Sequence, residues 1–261
     1  MKLHERMQNY EHTNRYYLTR KVPVIIRVDG RAFHTFTRGM DKPFDWGFME
    51  AMVQAAKTVM MEATGGVMAY IQSDEASFLL MDTAKLDTMP WFDYRQDKLT
   101  SMVASIMTMA FNRAILGHKK FWPSPMEFPT LEQFPAATFD ARAFNIPKED
   151  VANYFLHRAQ DWERNSIQML ARSLFPHKKL HMKKRDAQLD MIRGRGLNWE
   201  ELSGREKYGT FLYREIIFEE MPYSHDPIVI RRLIRTDQIP ASYIDMEYIL
   251  EHALVGYHAR L

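Results

Sequence analysis

Two stretches set acidic side chains at the ends of apolar strand patterns: Val24-Ile25-Ile26-Arg27-Val28-Asp29-Gly30-Arg31 and Ala69-Tyr70-Ile71-Gln72-Ser73-Asp74-Glu75-Ala76-Ser77-Phe78-Leu79-Leu80. A carboxylate on the rim of a buried strand is costly unless something pairs with it. A divalent cation serves several carboxylates at once, and hard Mg2+ takes oxygen ligands together with phosphate oxygens. Asp29, Asp74 and Glu75 are therefore candidate holders of two metal ions. Such ions, about 3.5–4 Å apart, clamp the attacking and leaving oxygens of an in-line displacement on phosphorus. Gly30 lets its backbone approach a metal or phosphate closely. The competing reading is a pair of ordinary turns, Asp29-Gly30 at a strand exit and Ser73-Asp74-Glu75 at a hairpin tip. Spacing alone leaves both open.

Cations gather around the first acid: Arg27, Arg31, His34, Arg38 and Lys42, while Arg95 and Lys98 open a later helix pattern. Arginine grips phosphate through two parallel hydrogen bonds and lysine acts as a point charge. Taken singly, each of these reads equally well as a solvated surface charge. On a helix, Arg158, Asp161 and Asn165 share one face at i, i+3 and i+7, which suits a polar network, a ligand surface or a plain salt bridge. The chain has no GxxxxGK[ST] loop, no HExxH pair among its 10 histidines and no GxSxG elbow. These absences argue against a P-loop, a catalytic zinc and a serine-hydrolase elbow. It has no cysteine, which excludes a thiol nucleophile, disulfides and thiolate metal sites, and is compatible with a cytoplasmic location.

The elements that must position these residues follow from periodicity. Residues 1–18 read as an N-terminal helix or arm. Residues 23–28 are a Val/Ile-rich strand, and 46–64 a helix with Phe48, Met52, Ala55, Ala56, Val59 and Met60 on one face, ended by Gly65-Gly66. Two short strand runs within 67–80 flank Ser73-Asp74-Glu75. A second helix, about 95–116, carries Met102, Ile106, Met109, Ala110 and Arg113 at helical steps, and a strand follows over 136–143. The order β-α-β-β-α-β is that of the ferredoxin-like unit, an α+β class with an antiparallel sheet and added helices. Its first strand lies beside the hairpin of the second and third, so Asp29 and Asp74-Glu75 are expected to converge on one edge. Residues 148–174 form a third helix pattern. Residues 173–210 read as a basic, irregular insertion, 211–218 as a strand, and 228–261 as a tail with some helical pattern. The expected organisation is one catalytic unit over residues 1–220 and a tail over 221–261.

The length of 261 residues suits one large domain, and 46% hydrophobic with 26% charged residues is an ordinary globular composition. No apolar run is long enough to span a bilayer, and the chain opens without a signal-peptide pattern. A net charge of +2 advertises no global field for nucleic acid. Local basic clusters exist, at Lys178-Lys179 and Lys183-Lys184-Arg185. The 19 methionines read as adaptable core filler.

Together these stretches resemble one family, the tRNA-histidine guanylyltransferases and their bacterial, archaeal and phage-type relatives, which are template-dependent 3′-5′ RNA polymerases. Arg27-Val28-Asp29-Gly30-Arg31-Ala32-Phe33-His34-Thr35-Phe36 is close to the family's R-[IV]-D-G-R-x-F-H-x-F. Lys42-Pro43-Phe44-Asp45 resembles K-P-x-D, Gln72-Ser73-Asp74-Glu75-Ala76-Ser77-Phe78 resembles Q-S-D-E-x-S-F, Arg95 and Lys98 match an R-x-x-K pair, and Phe139-Asp140-Ala141-Arg142 resembles F-D-[GA]-R.

The resemblance implies a palm-like core. It implies two Mg2+ ions held by Asp29, the Gly30 backbone and Asp74, with Glu75 beside them. It also implies nucleotide contacts from Arg27, Gly30, Arg31, Ala32, Phe33, His34, Lys42, Asp45, Ser73, Asp74, Arg95 and Lys98. In this family ATP or GTP activates a tRNA 5′-monophosphate, and the 3′-hydroxyl of an incoming nucleotide attacks the activated end; the enzymes are usually homotetramers. Where eukaryotic members carry H-I-N-N-L-Y-N, this chain reads Glu163-Arg164-Asn165-Ser166-Ile167-Gln168-Met169, closer to the bacterial and phage-type proteins that resemble 5′-end repair polymerases. Templated repair is accordingly favoured over strict histidine-tRNA guanylylation. The candidate tRNA surface comprises Lys178, Lys179, Lys183, Lys184 and Arg185 with Arg158, Asp161 and Asn165, and such contacts make binding salt-sensitive. The alternatives are a cyclase-like palm enzyme acting on free nucleotides and a non-catalytic RNA-binding protein.

Overall fold

The computed structural model describes residues 1–13, 15–122, 130, 132, 134–219, 228–236 and 239–249. An exposed helix α1 (Leu3–His12) leads to strand β1 (Val24–Gly30). A short helix α2 (Phe33–Phe36) and helix α3 (Trp46–Glu62) precede the hairpin of β2 (Gly66–Gln72) and β3 (Glu75–Leu80). Helix α4 (Gln96–Ile115) then returns the chain to β4 (Phe139–Asn145). These strands stand in the order β4-β1-β3-β2 with antiparallel pairing throughout, which is the expected ferredoxin-type arrangement. β2 and β3 are buried along their whole length because both sheet faces are covered, so they read as near-continuous apolar runs.

α3 and α4 cover one face of the sheet. α3 buries the stripe expected from its spacing, with Phe48, Met52, Ala55, Ala56, Val59 and Met60 all in the core. In α4 the expected stripe is displaced in part: Ala110 is buried and Ile106 packs against the core as expected, but Met102 and Met109 are 40% and 49% exposed, and Leu99, Val103, Met107 and Phe111 face the core in their place. Both sets have helical spacing, and apolar methionines on the outer side make the two stripes indistinguishable by pattern.

The opposite face carries α5 (Val151–Leu174), whose Phe155 and Ala159 pack on Ile25, Met68 and Leu79. Beyond α5 the segment expected to be irregular is helical: α6 (His177–Leu180), α7 (Arg185–Arg193) and α8 (Gly204–Tyr208). Leu189, Ile192 and Trp199 close a small core on Ile167, Leu170 and Ala171 of α5. The indole N–H of Trp199 donates to buried Ser166 at 2.9 Å. Exposed basic residues between those few apolar anchors mask their periodicity in the sequence.

Strand β5 (Thr210–Glu219) extends the sheet beside β2, and β6 (Ile228–Thr236) pairs with β5 along its whole length. The helical tail expected from residue 228 is thus corrected to a strand, whose Ile228-Val229-Ile230 opening suits a sheet. After β6, Ala241 and Ile244 are buried against the α5-side core, joined by Ile249 of α9 (Met246–Ile249). An expected boundary at residue 220 separates two paired strands. Among the described residues no helix is long and apolar enough to cross a membrane.

Candidate active site at the hairpin tip

The fold brings the two acidic stretches together. Asp29 and Glu75 are register partners across β1 and β3, and the Gly30 amide donates to the Asp74 carbonyl at 3.0 Å. The β2–β3 turn has only two residues, Ser73-Asp74, closing on the Gln72–Glu75 pair. Tight hairpin turns require positive φ, and Ser73 adopts +46° without being glycine. Ala32, just past the Asp29-Gly30 strand exit, sits at +56°. A non-glycine residue there is costly, and such backbone clusters at ligand sites. Gly30 is required sterically, because a Cβ would lie 2.4 Å from the Phe33 ring. That ring is boxed in by Phe36, Phe48, Phe111 and Phe139, so it has nowhere to yield.

Two cavities meet at Asp74. The first, about 420 Å³, is lined by Gly30, Ala32, Phe33, His34, Lys42, Asp45, Ser73 and Asp74, among others. The second, about 350 Å³, is lined by Asp29, Ser73, Asp74, Glu75, Asp161, Asn165, Gln168 and Arg172, among others. Ser73, Asp74, Trp162 and Met169 form the shared wall. The first cavity has room for a nucleotide base and sugar, and the basic side chains His34 and Lys42 are part of its lining.

Electrostatics divide the acids. Glu75 is buried and neutralised twice, by Arg27 Nε at 3.0 Å and Arg158 Nη1 at 3.1 Å. Arg27 also donates to Asp29 at 2.7 Å, and Arg158 to Asp161 at 3.2 Å. Burial works against the Arg27 charge, but Glu75 and Asp29 hold its pKa above the ordinary value. Burial pushes the Asp74 carboxyl above its ordinary range and the charges of Asp29 and Glu75 push the same way; the turn backbone and Ser73 oppose them less strongly. Asp74 is thus a carboxylate whose negative charge the protein compensates only in part.

The floor of the first cavity rests on Asp45. It caps α3 by accepting from the Phe48 N–H at 2.9 Å, and also accepts from the Asp41 N–H and from His118 Nε2, both at 3.0 Å. Burial alone would raise its pKa; these hydrogen bonds win and hold it below the usual carboxylate value. Lys119 pairs with Asp41 at 2.7 Å and Lys120 donates to the Phe36 carbonyl, so residues 118–120 fasten the loop around that cavity at three points.

Other expected site residues lie elsewhere. Arg31 is exposed and lines neither cavity, although its amide donates to the Thr138 carbonyl. Arg95 and Lys98 also line neither: Arg95 pairs with Asp97 at 2.8 Å, and Lys98 sits 5.6 Å over the Phe92 ring. Gln96 bonds Ala143 while Thr108 bonds Phe139, the register partner of Gly30. The start of α4 therefore lies at the far end of β4 from Asp29. Arg158 is enclosed in the Glu75 network and unavailable to a large ligand. Lys178, Lys179, Lys183, Lys184 and Arg185 are exposed on and beside α6 and α7. Pattern reading missed Trp162, Met169, Gln168 and Arg172. The stripe Asp161-Asn165-Gln168-Arg172 continues the α5 face already visible at Asn165, whereas His118 carries no sequence signal for its contact with Asp45.

Known proteins are similar to this chain in sequence and fold. Residues 4–147 match the family model described as Thg1: tRNAHis guanylyltransferase. The tRNA(His) guanylyltransferase of Schizosaccharomyces pombe is 35% identical over 158 residues, 60% of this chain and 54% of that protein, so the match spans about half the length of that curated relative. A solved bacterial tRNA(His) guanylyltransferase (Thg1)-like protein in complex with ATP superposes with a TM-score of 0.81 at 32% identity, covering 97% of this chain and 100% of that one. Another such structure, in complex with GTP, gives 0.73 at 31% identity with the same coverage.

Proposed function

The chain belongs to the tRNAHis guanylyltransferase family, and we propose that it is a nucleotidyltransferase that adds nucleotides to tRNA 5′ ends in the 3′-to-5′ direction, using ATP and GTP. The observation that carries this reading is the position of Asp74, on the wall between two cavities and beside the Asp29–Gly30 strand exit. Joining two phosphate-bearing partners needs two adjoining compartments with anionic ligands at their junction.

The residues fit Mg2+. Among the described residues no group of three or more histidine or acidic side chains is arranged to hold a metal ion by itself, so an all-protein cage is not offered. Asp29, Asp74 and the Gly30 carbonyl are hard oxygen donors, and the only partly compensated charge on Asp74 favours a cation beside it. Mg2+ is commonly held by one or two carboxylates, with phosphate and water completing its shell. When bound, it supplies charge neutralisation for the phosphates and activation of the attacking oxygen.

The chain's own residues supply position. His34 and Lys42 face a triphosphate in the first cavity, and Asp45 with His118 fixes the loop that carries Lys42. Gly30 and the left-handed turn at Ser73 let the backbone lie close to the reacting phosphates. Asn165 and Arg172 lie where the second cavity receives the 5′ end. Glu75 acts as a positioning residue, holding Arg27 against Asp29. Nucleotidyl transfer leaves little covalent chemistry to the protein, so positioning and electrostatics carry the rate.

Templated 5′-end repair is the preferred form of the activity. Where the eukaryotic motif places histidine, Glu163 accepts from the Ala241 amide at 2.8 Å and so serves the fold. Ser166 is likewise spent on Trp199, leaving Asn165 at the cavity. The test is a 5′-extension assay with Mg2+, ATP and GTP on two 5′-monophosphorylated tRNAs, a histidine tRNA and another tRNA lacking its first nucleotide. Addition of the base-paired nucleotide to the truncated tRNA is expected. Addition to histidine tRNA alone assigns the guanylylation role instead, and no addition to either refutes the tRNA activity. A homotetramer and a cytoplasmic location belong to the same proposal, and light scattering checks the first.

A further inference from the structure

A third cavity, about 220 Å³, lies beyond the second and is lined by Gln168, Arg172, His177, Leu180, His181, Met182, Lys183 and Gln188. No acidic residue lines it. Among the described residues no carboxylate pairs with Arg172, His177, His181 or Lys183, so a concave surface carries several cationic or donor groups and no counter-charge. It is continuous with the acidic junction, because Gln168 and Arg172 line both it and the cavity that holds Asp29 and Asp74. From Asn165 to Arg172 the α5 axis advances about 10 Å, which spans only the first few nucleotides of a strand whose 5′ end lies at Asp74.

Gln188 adds an independent observation. It is only 8% exposed, its Nε2 donates to the Lys183 carbonyl at 2.9 Å, and its Oε1 has no partner among the described residues. The opposite amide orientation would set two oxygens against each other, so the orientation is fixed by chemistry. A buried acceptor without a donor is costly and calls for a ligand or water that supplies one. A bare phosphate diester has no proton to give. A ribose 2′-hydroxyl does.

We infer that this cavity is a ribose-phosphate subsite for the RNA strand, in which Arg172, Lys183 and the two histidines hold a backbone phosphate and Gln188, whose enclosed Oε1 turns outward when the strand binds, accepts from the adjoining 2′-hydroxyl. The inference rests on the reading of the chain as an RNA 5′-end enzyme. At half the volume of the first cavity, the subsite takes a ribose-phosphate unit rather than a nucleoside triphosphate. The requirement for a hydroxyl makes it selective for RNA over DNA.

The experiment measures the Kd of the full-length protein for a 5′-truncated tRNA as a function of salt, with extension of the same tRNA measured in parallel. Lys183→Ala alters an exposed side chain, and is expected to weaken tRNA binding about fivefold and to lower the salt slope by about 1. The KM for ATP and GTP should not change. A series of tRNAs with single 2′-deoxy substitutions in the first few nucleotides tests Gln188 without touching the fold. One position is expected to weaken wild-type binding about fivefold, and the same substitution should have no effect on Gln188→Met. Wild-type affinity and salt slope in Lys183→Ala, or a deoxy series that binds uniformly, overturns the subsite. Inorganic phosphate competing as well as the RNA strand also overturns it. If wild-type protein extends the tRNA while these readouts stay flat, only the subsite fails. If they respond as expected but no nucleotide is added, the subsite stands and the enzymatic reading fails.

Discussion

Replacing Arg158 by methionine separates an anchoring role for Glu75 from a chemical one. Arg158 and Glu75 are each about nine-tenths buried and meet at 3.1 Å. Removing one partner of a buried ion pair costs about 3–5 kcal/mol, because the other charge stays behind without water. Glu75 keeps Arg27 at 3.0 Å, which places the cost of Arg158→Met at the low end, about 3 kcal/mol. Urea unfolding reads this as a fall in midpoint at unchanged slope. Glu75→Gln in the same background removes the stranded charge, so the double variant should recover about 1–2 kcal/mol as coupling. The kinetic counterpart is that Glu75→Gln stays within about tenfold of wild type in nucleotide addition, a loss of about 1.4 kcal/mol in the barrier. Asp29→Asn should lose about a thousandfold or more, since it removes charge at the reacting phosphates. A change below about 0.5 kcal/mol in Arg158→Met, which is ordinary for a surface site, refutes the network. A Glu75→Gln enzyme as inactive as Asp29→Asn refutes the anchoring role.

Three further outcomes follow from the site. Asp74→Asn should raise the melting temperature in the absence of metal and nucleotide. The Asp74 pKa is raised in the fold, so the native state binds the extra proton and the ionised group costs stability above that pKa; the gain should be full at neutral pH and vanish on acidification through it. Gly30→Ala forces a Cβ into the Phe33 ring, and should cut nucleotide addition about a hundredfold through misplacement of the strand exit, while circular dichroism stays unchanged. His118→Ala removes one of three donors from buried Asp45, and should cost about 1 kcal/mol and raise the KM for the nucleotide in the first cavity. The Asp45 pKa is lowered in the fold, so its contribution is present above the unfolded value and lost as pH falls through the folded one. The His118→Ala protein should therefore begin acid unfolding at higher pH than wild type.

The legible parts of this molecule were those where one local signal was sufficient. The Val24–Val28 run, the Asp29-Gly30 exit and the acidic hairpin tip imply a sheet edge carrying carboxylates, and the antiparallel register places Asp29 opposite Glu75 as the element order requires. The face of α4 was not legible because methionines at 102 and 109 extend the apolar stripe around the helix. The helices after α5 were hidden because Leu189, Ile192 and Trp199 bury a small core under an exposed basic surface. Strand β6 was obscured by arginines interleaved with its apolar residues, and its pairing with β5 is a tertiary fact. The site shows the same division. The identity of the acids is written in the motifs, whereas the neutralisation of Glu75 by Arg158, 83 positions away, and the support of Asp45 by His118, 73 positions away, exist only in the fold. Arg95 and Lys98 carry the family spacing, yet the course of α4 sets them at the far end of β4.

The most direct test of the central claim is a side-by-side extension of a 5′-monophosphorylated, 5′-truncated tRNA by wild-type protein and by Asp74→Asn, with Mg2+, ATP and all incoming nucleotides present. Wild type is expected to add the nucleotide complementary to the opposing base, and Asp74→Asn to add none while melting at the same or higher temperature. Addition by the folded Asp74→Asn protein contradicts the assignment of the reacting centre to the junction of the two cavities.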